Sequence, residues 1–140
     1  MIAAIRISGD VKITEKIRET LFRMRLRRKY SLVLIKPTEA NIKILRHVRD
    51  YVAYGTIDKK TLSDLLESRA QPIKKGAKIN VLEVISKLDK SSFQDLGIKP
   101  FFRLHPPRKG IDSKNHFGTS RKAVLGDNRE KINDLIRRML

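Results

Sequence analysis

Five consecutive residues, Ser31-Leu32-Val33-Leu34-Ile35, constrain the fold of this chain more than any other stretch. After the serine they are apolar without interruption, and successive side chains of an extended segment point to opposite faces. A strand apolar on both faces needs cover on both, so it reads as central or doubly covered rather than as an edge. Pro37 stops it, because proline cannot donate to a ladder.

The flanks supply partners for that strand. Ile2 to Ser8 reads as a second strand, closed by Gly9-Asp10. Thr14 is a good N-cap and Glu15 suits a first turn. Ile17, Leu21 and Met24 then recur at helical spacing, which predicts a helix over 14–26. After Pro37, Thr38 and Glu39 open another helix, with Ile42, Leu45 and Val48 as its buried stripe. Tyr51 to Ile57 is a third strand, bent or bulged at Gly55. Residues 1–58 therefore read β-α-β-α-β, an α/β (α+β) unit with a three-stranded sheet and both helices on one face. Later elements or a partner must cover the other face.

Residues 59–140 read as a mostly helical second part. Asp58 caps a helix holding Leu62, Leu65 and Leu66. A loop spans 71–78, and Asn80 with Glu83 forms a capping box ahead of Val81, Leu82, Val84, Ile85 and Leu88. Residues 89–100 are a polar connector. A short strand, 101–105, follows, and strand alternation buries one of Phe101 and Phe102 without saying which. Pro106-Pro107 stops it. The stretch 108–126 shows no period and reads as a basic loop. Asp127 with Glu130 makes another capping box, opening a helix over 128–139 that buries Ile132, Leu135, Ile136 and Met139.

Charge decides the class of partner. Lys and Arg number 32 against 15 Asp and Glu, a formal +17. Self-repulsion of that size calls for a polyanion: RNA, DNA or an anionic membrane surface. The excess is uneven, net +9 over residues 1–60 and +5 over 101–126, but only +2 over 61–100. Two concentrated patches look like two contact surfaces. With no cysteine, disulfides, thiolate metal sites and a Cys nucleophile are excluded together. The opening apolar run is too short for a signal peptide, and no stretch reaches the length of a spanning helix. A soluble intracellular protein is the expectation.

Several stretches of the chain resemble a known family. They are Thr20-Leu21-Phe22-Arg23-Met24-Arg25-Leu26-Arg27-Arg28-Lys29, Val33-Leu34-Ile35-Lys36, Leu45-Arg46-His47-Val48-Arg49-Asp50-Tyr51-Val52 and Tyr54-Gly55-Thr56-Ile57-Asp58. They resemble the large-subunit ribosomal protein family numbered thirty in the universal scheme, whose eukaryotic branch is called large-subunit protein seven. Phe102-Arg103-Leu104-His105-Pro106-Pro107-Arg108 is similar to a signature in the second part of its archaeal and eukaryotic members. The bacterial members look like residues 1–57 alone. The lack of a long basic N-terminal extension is similar to the archaeal type. The resemblance implies a small α/β sandwich like ferredoxin domains. It also implies a structural role in the cytoplasmic ribosome, with large-subunit ribosomal RNA and neighbouring ribosomal proteins as partners, and no membrane or small-molecule substrate.

Two candidate RNA-binding sites follow. Arg23, Arg25, Arg27, Arg28 and Lys29 crowd the end of the first helix. Cations there complement the helix dipole, but five in seven residues exceed what capping requires. Guanidinium forks suit phosphate oxygens. The second site runs from Phe101 to Lys122 and offers Arg103, His105, Arg108, Lys109, Lys114, His116, Arg121 and Lys122. Its cations can meet phosphates, and its His and Phe rings can meet unstacked bases.

Other classes find less support. His105 and His116 have only Asp112 nearby, a poor metal set, and no cofactor is implied. No P-loop, nucleophile elbow or dinucleotide turn appears, so the expectation is not an enzyme. A DNA-binding or chromatin module is the alternative, but nothing resembles a helix-turn-helix pair. A membrane-surface helix needs bulky anchors, and the chain has no Trp.

Overall fold

The computed structural model describes residues 1–74, 76, 79–88 and 91–140. The strands are β1 (Ile2–Arg6), β2 (Ser31–Ile35), β3 (Val52–Thr56), β4 (Phe102–Arg103), β5 (Asp112–His116) and β6 (Ala123–Asp127). The helices are α1 (Glu15–Arg23), α2 (Glu39–His47), α3 (Lys59–Arg69), α4 (Val81–Lys87) and α5 (Ile132–Met139), the last entered through a 3-10 turn at Arg129–Lys131. Among the described residues the strands form one six-stranded sheet in the order β4-β2-β1-β3-β6-β5. β1 pairs antiparallel with β2 and β3, while β6 runs parallel to β3.

Strand alternation sorts the core into two layers. Ile2 and Ala4 of β1, with Val33 and Val52, meet Leu21 and Leu26 around the α1 end and Leu45 and Val48 around α2. Ala3 and Ile5, with Leu32 and Ala53, meet α3, α4 and α5 through Leu65, Val84 and Ile136. So α1 and α2 share one face, as the first 58 residues predict, and the later helices cover the other. β2 lies inside the sheet, between β4 and β1.

The sheet is wider than the sequence suggests. The expected three strands are joined by β4 on one side and by β6 and β5 on the other, so the loop expected over 108–126 is corrected to contain two strands. β6 is held by Ala123, Val124 and Leu125, all buried, a run too short to show a period. β5 reads Asp-Ser-Lys-Asn-His and forms only as an edge strand beside β6, which is tertiary context overriding propensity.

Local expectations divide by whether a cap bond forms. Asp58 accepts from the Thr61 amide at 2.7 Å, and Thr38 accepts from the Asn41 amide at 3.4 Å. Asn80 and Thr14 stand at their helix entrances without a side-chain cap bond. Glu83 pairs with Lys87 instead of closing a capping box. Asp127 ends β6 and accepts from the Arg129 amide at 2.9 Å, so α5 begins only at Ile132. Gly55 is not a bulge, because β3 stays in register with β1 there. A Cβ at Gly55 would run into the Arg129 carbonyl, so glycine lets the 3-10 turn lie on the sheet. Of the loop expected at 71–78 and the connector at 89–100, residues 75, 77, 78, 89 and 90 lie outside the described residues.

Candidate nucleic-acid interface

The first basic patch is shaped by how α1 ends. The Leu26 amide donates to the Leu21 carbonyl at 2.9 Å, and the Arg25 amide donates to the Phe22 carbonyl at 3.0 Å. That pair of bonds is a Schellman motif, with Leu21 and Leu26 as its buried apolar contact. The motif puts its C′ residue in the left-handed region, usually as glycine; here that residue is Arg25, at φ 64°. Five residues on, Tyr30 is also left-handed at φ 62°. The Ser31 amide closes this second turn on the Arg28 carbonyl at 3.2 Å. Arginines 25, 27 and 28 thus sit on a short reversal fixed at both ends by strained backbone.

A buried arginine holds the reversal from beneath. Arg6, the last residue of β1, is only 2% exposed. Its guanidinium donates to the carbonyls of Leu26 at 2.9 Å and Arg27 at 2.8 Å, to Ser8 at 3.0 Å, and to the Asp10 carboxylate at 2.6 Å. The Asp10 carboxyl titrates below its usual range, chiefly because of that hydrogen bond. In sequence Arg6 is a lone charge on a strand. Strand alternation puts it on the α1 face, and no local signal announces that role.

On the far side stands β4. It pairs with β2 through Ser31 and Leu32, which brings Phe101 and Arg103 beside the α1 end. Phe22, Arg23, Arg25, Arg27, Arg28, Ser31, Phe101 and Arg103 together line a groove of about 600 Å³. The Arg27 guanidinium carbon lies 3.9 Å from the centroid of the Phe22 ring, and that of Arg103 lies 6.0 Å from Phe101. Among the described residues, Arg25, Arg27, Arg28 and Arg103 have no carboxylate partner, whereas Arg23 is tied to Glu19 at 2.5 Å. With its amide oxygen turned toward the Arg25 guanidinium, Gln94 accepts from it at 3.0 and 3.3 Å. Arg103, grouped by sequence with the second patch, therefore sits with the first. Lys29 lies outside the groove, its chain packed over Gly9. Phe102 is the buried ring of its pair, and meets Phe93 edge-on at 5.9 Å.

The second patch is exposed along the β5–β6 edge of the sheet. Lys114, Arg121 and Lys122 are exposed on and between β5 and β6, and Arg108 and Lys109 on the turn before them. Asp112 organises this region: it accepts from the amides of Lys114 at 3.0 Å and Asn115 at 3.3 Å, from the Asn115 side chain at 2.7 Å, and from Ser120 at 3.0 Å. Those bonds, the Lys114 amide foremost, lower its pKa. Arg138 of α5 donates to the carbonyls of Arg108 at 3.1 Å and Gly110 at 2.5 Å. His116 is engaged by the protein's own surface, with Nε2 2.9 Å from Asp50 and its ring against Gly126. His105 is exposed and its amide bonds to the Met139 carbonyl at 2.9 Å. Among the described residues no cluster of His, Asp or Glu could hold a metal ion, and no helix is long and apolar enough to cross a membrane.

Comparison with known proteins follows the same line. Residues 2–52 match the family described as ribosomal protein L30p/L7e. The chain is 37% identical to the large ribosomal subunit protein uL30 of Nanoarchaeum equitans, over 99% of this chain and 97% of that protein. It is 38% identical to the protein of the same name from Archaeoglobus fulgidus, over 99% of each. For that of Methanococcus maripaludis the identity is 36%, over 99% of this chain and 98% of the relative.

Proposed function

The chain belongs to the ribosomal protein L30p/L7e family, and from that premise we propose that it binds large-subunit ribosomal RNA through the groove at the end of α1. It is a structural constituent of the large ribosomal subunit and not an enzyme. The observation that carries the RNA reading is the cluster, on one concave surface, of four arginines that have no carboxylate partner among the described residues. Guanidinium groups held on fixed backbone neutralise phosphates that would otherwise repel one another, and they set the register of protein on RNA.

In this reading Arg25, Arg27, Arg28 and Arg103 form the main contact. Lys29, Arg108, Lys109, Lys114, Arg121 and Lys122 extend it along the surface, with His105 beside them. Arg23 and His116 contribute only after giving up Glu19 and Asp50. Residues 1–58 are the RNA-anchoring core, and 59–140 an extension that supplies Arg103 and the second patch. The nearly balanced stretch 61–100 is where a neighbouring ribosomal protein would lie.

Sedimentation of lysate tests the reading. The protein is expected to travel with large subunits, to keep doing so after DNase, and to be released by RNase. Co-migration with DNase-sensitive material would overturn it in favour of a chromatin role.

A further inference from the structure

Gripping phosphates requires protruding cations; it does not require a hollow. A groove of about 600 Å³ lies within the ~300–1,000 Å³ typical of sites that enclose a small ligand. Its walls carry two phenylalanine rings, Phe22 standing largely clear of the core and Phe101 packed against the α1–α2 core layer with part of its surface left open. Phe22 is 53% exposed although it lies on the last turn of a helix. Phe101 is half-buried, while its neighbour Phe102 fills the core. One exposed ring would mean nothing, since scattered apolar side chains are normal on protein surfaces. Two rings on one hollow, each with a guanidinium over it, make a set of flat surfaces.

Flat surfaces rimmed by cations suit one kind of RNA group. Bases of single-stranded loops and bulges splay out and stack on aromatic rings or guanidinium planes. Stacking of this kind tolerates any base, because every base has a π-face. We propose that the groove receives an unpaired, extruded nucleotide of the RNA, its base stacked on the Phe22–Arg27 pair or on Phe101. Arg25, Arg28 and Arg103 then hold the phosphates on either side of it. Duplex RNA offers no base face to such a hollow and is held by the rim alone. This inference rests on the RNA reading above and adds the kind of RNA feature recognised.

The chain has no tryptophan, so Phe22→Trp places a single fluorophore in the groove. Two probes are compared with the full chain: an oligoadenylate of about eight nucleotides, and an oligomer with the same number of phosphates but abasic riboses. The expected result is fluorescence quenching by the oligoadenylate and not by the abasic oligomer. Phe22→Ala, in a protein otherwise unchanged, should lower oligoadenylate affinity by about fivefold to a hundredfold. It should leave abasic binding and the salt dependence of binding as they were. Because Phe22 is largely exposed, its truncation does not threaten folding, and thermal unfolding of the variant checks this.

Equal quenching or equal affinity for the two probes would overturn the base site. If that happens while Arg27→Ala with Arg28→Ala still weakens binding to large-subunit RNA, only the base site falls. If the base preference holds but those variants enter large subunits as well as wild type does, the ribosomal RNA reading falls and the base site stands.

Discussion

The two basic patches carry similar side chains on different foundations. At the α1 end, cations sit on a backbone reversal fixed by a Schellman motif, a second left-handed residue and a buried arginine beneath. At the β5–β6 edge, exposed cations depend on one carboxylate, Asp112, and on Arg138 reaching across from α5. The first arrangement is concave and includes aromatic rings; the second follows a sheet edge. Preorganised cations lose little entropy when they meet phosphates, whereas cations on a lightly held strand must be ordered on binding. The α1 groove should therefore set affinity and register, and the β5–β6 edge should add electrostatic attraction.

Removing the foundation of the first patch breaks this contrast most severely. Arg6→Met strands the buried Leu26 carbonyl and removes the part-buried bonds to the Arg27 and Ser8 carbonyls. Each unsatisfied buried acceptor costs about 1–3 kcal/mol, so denaturant unfolding should show a loss of roughly 2–4 kcal/mol. RNA affinity should fall as well, although Arg6 has almost no exposed surface. A variant with wild-type stability would show that the reversal holds itself.

Arg27→Ala with Arg28→Ala leaves the foundation and removes the contacts. The slope of log affinity against log salt should drop by about 1.4–1.8, two phosphate contacts at ~0.7–0.9 each. The matching pair on the other patch, Lys114→Ala with Lys122→Ala, should cost less affinity at fixed salt. Equal losses from the two pairs would erase the distinction between the patches.

Asp112→Ala tests the second foundation. Hydrogen exchange of the β5 amides should quicken while the amides of β1 and β3 are unchanged, because β5 is an edge strand and can open locally. Loosening of the cations should lower RNA affinity and loss of the Asp112 charge should raise it, so the net change should stay within about two- to threefold.

Arg25→Gly separates shape from charge. Glycine is at ease at φ 64° and arginine is not, so the variant should unfold at equal or greater stability, by up to about 1 kcal/mol. It should still lose one phosphate contact. Lowered stability together with unchanged RNA binding would mean that Arg25 is structural. The smallest effect is expected with acid. The carboxyls of Asp10, Asp58 and Asp112 are held below their usual values by hydrogen bonds from Arg6, Thr61 and Lys114 respectively. Their stabilisation is complete above the unfolded value near ~3.9 and is lost as pH falls through the lowered folded values.

How much of this was legible in the sequence depends on the range of the forces involved. β2, the Thr38 and Asp58 caps and the two-faced core are local patterns, and they are readable. The arginine cluster is readable as composition, but its concavity is not. That depends on β4 pairing with β2, which brings Arg103 and Phe101 across about seventy residues of sequence. Arg6 was invisible as an organiser because its role comes from strand register. β5 was invisible because its five polar residues become a strand only once β6 is in place. Gly55 was legible as special but for the wrong reason, since what it admits is the distant Arg129 carbonyl.

The most direct test is arginine modification in isolated large subunits, compared with the free protein and read by mass spectrometry. Arg25, Arg27, Arg28 and Arg103 should be reactive when free and strongly protected together in the subunit, more so than Arg108 and Arg121. Protection of Arg108 and Arg121 with the groove arginines still reactive would contradict the assignment of the α1 groove as the RNA contact.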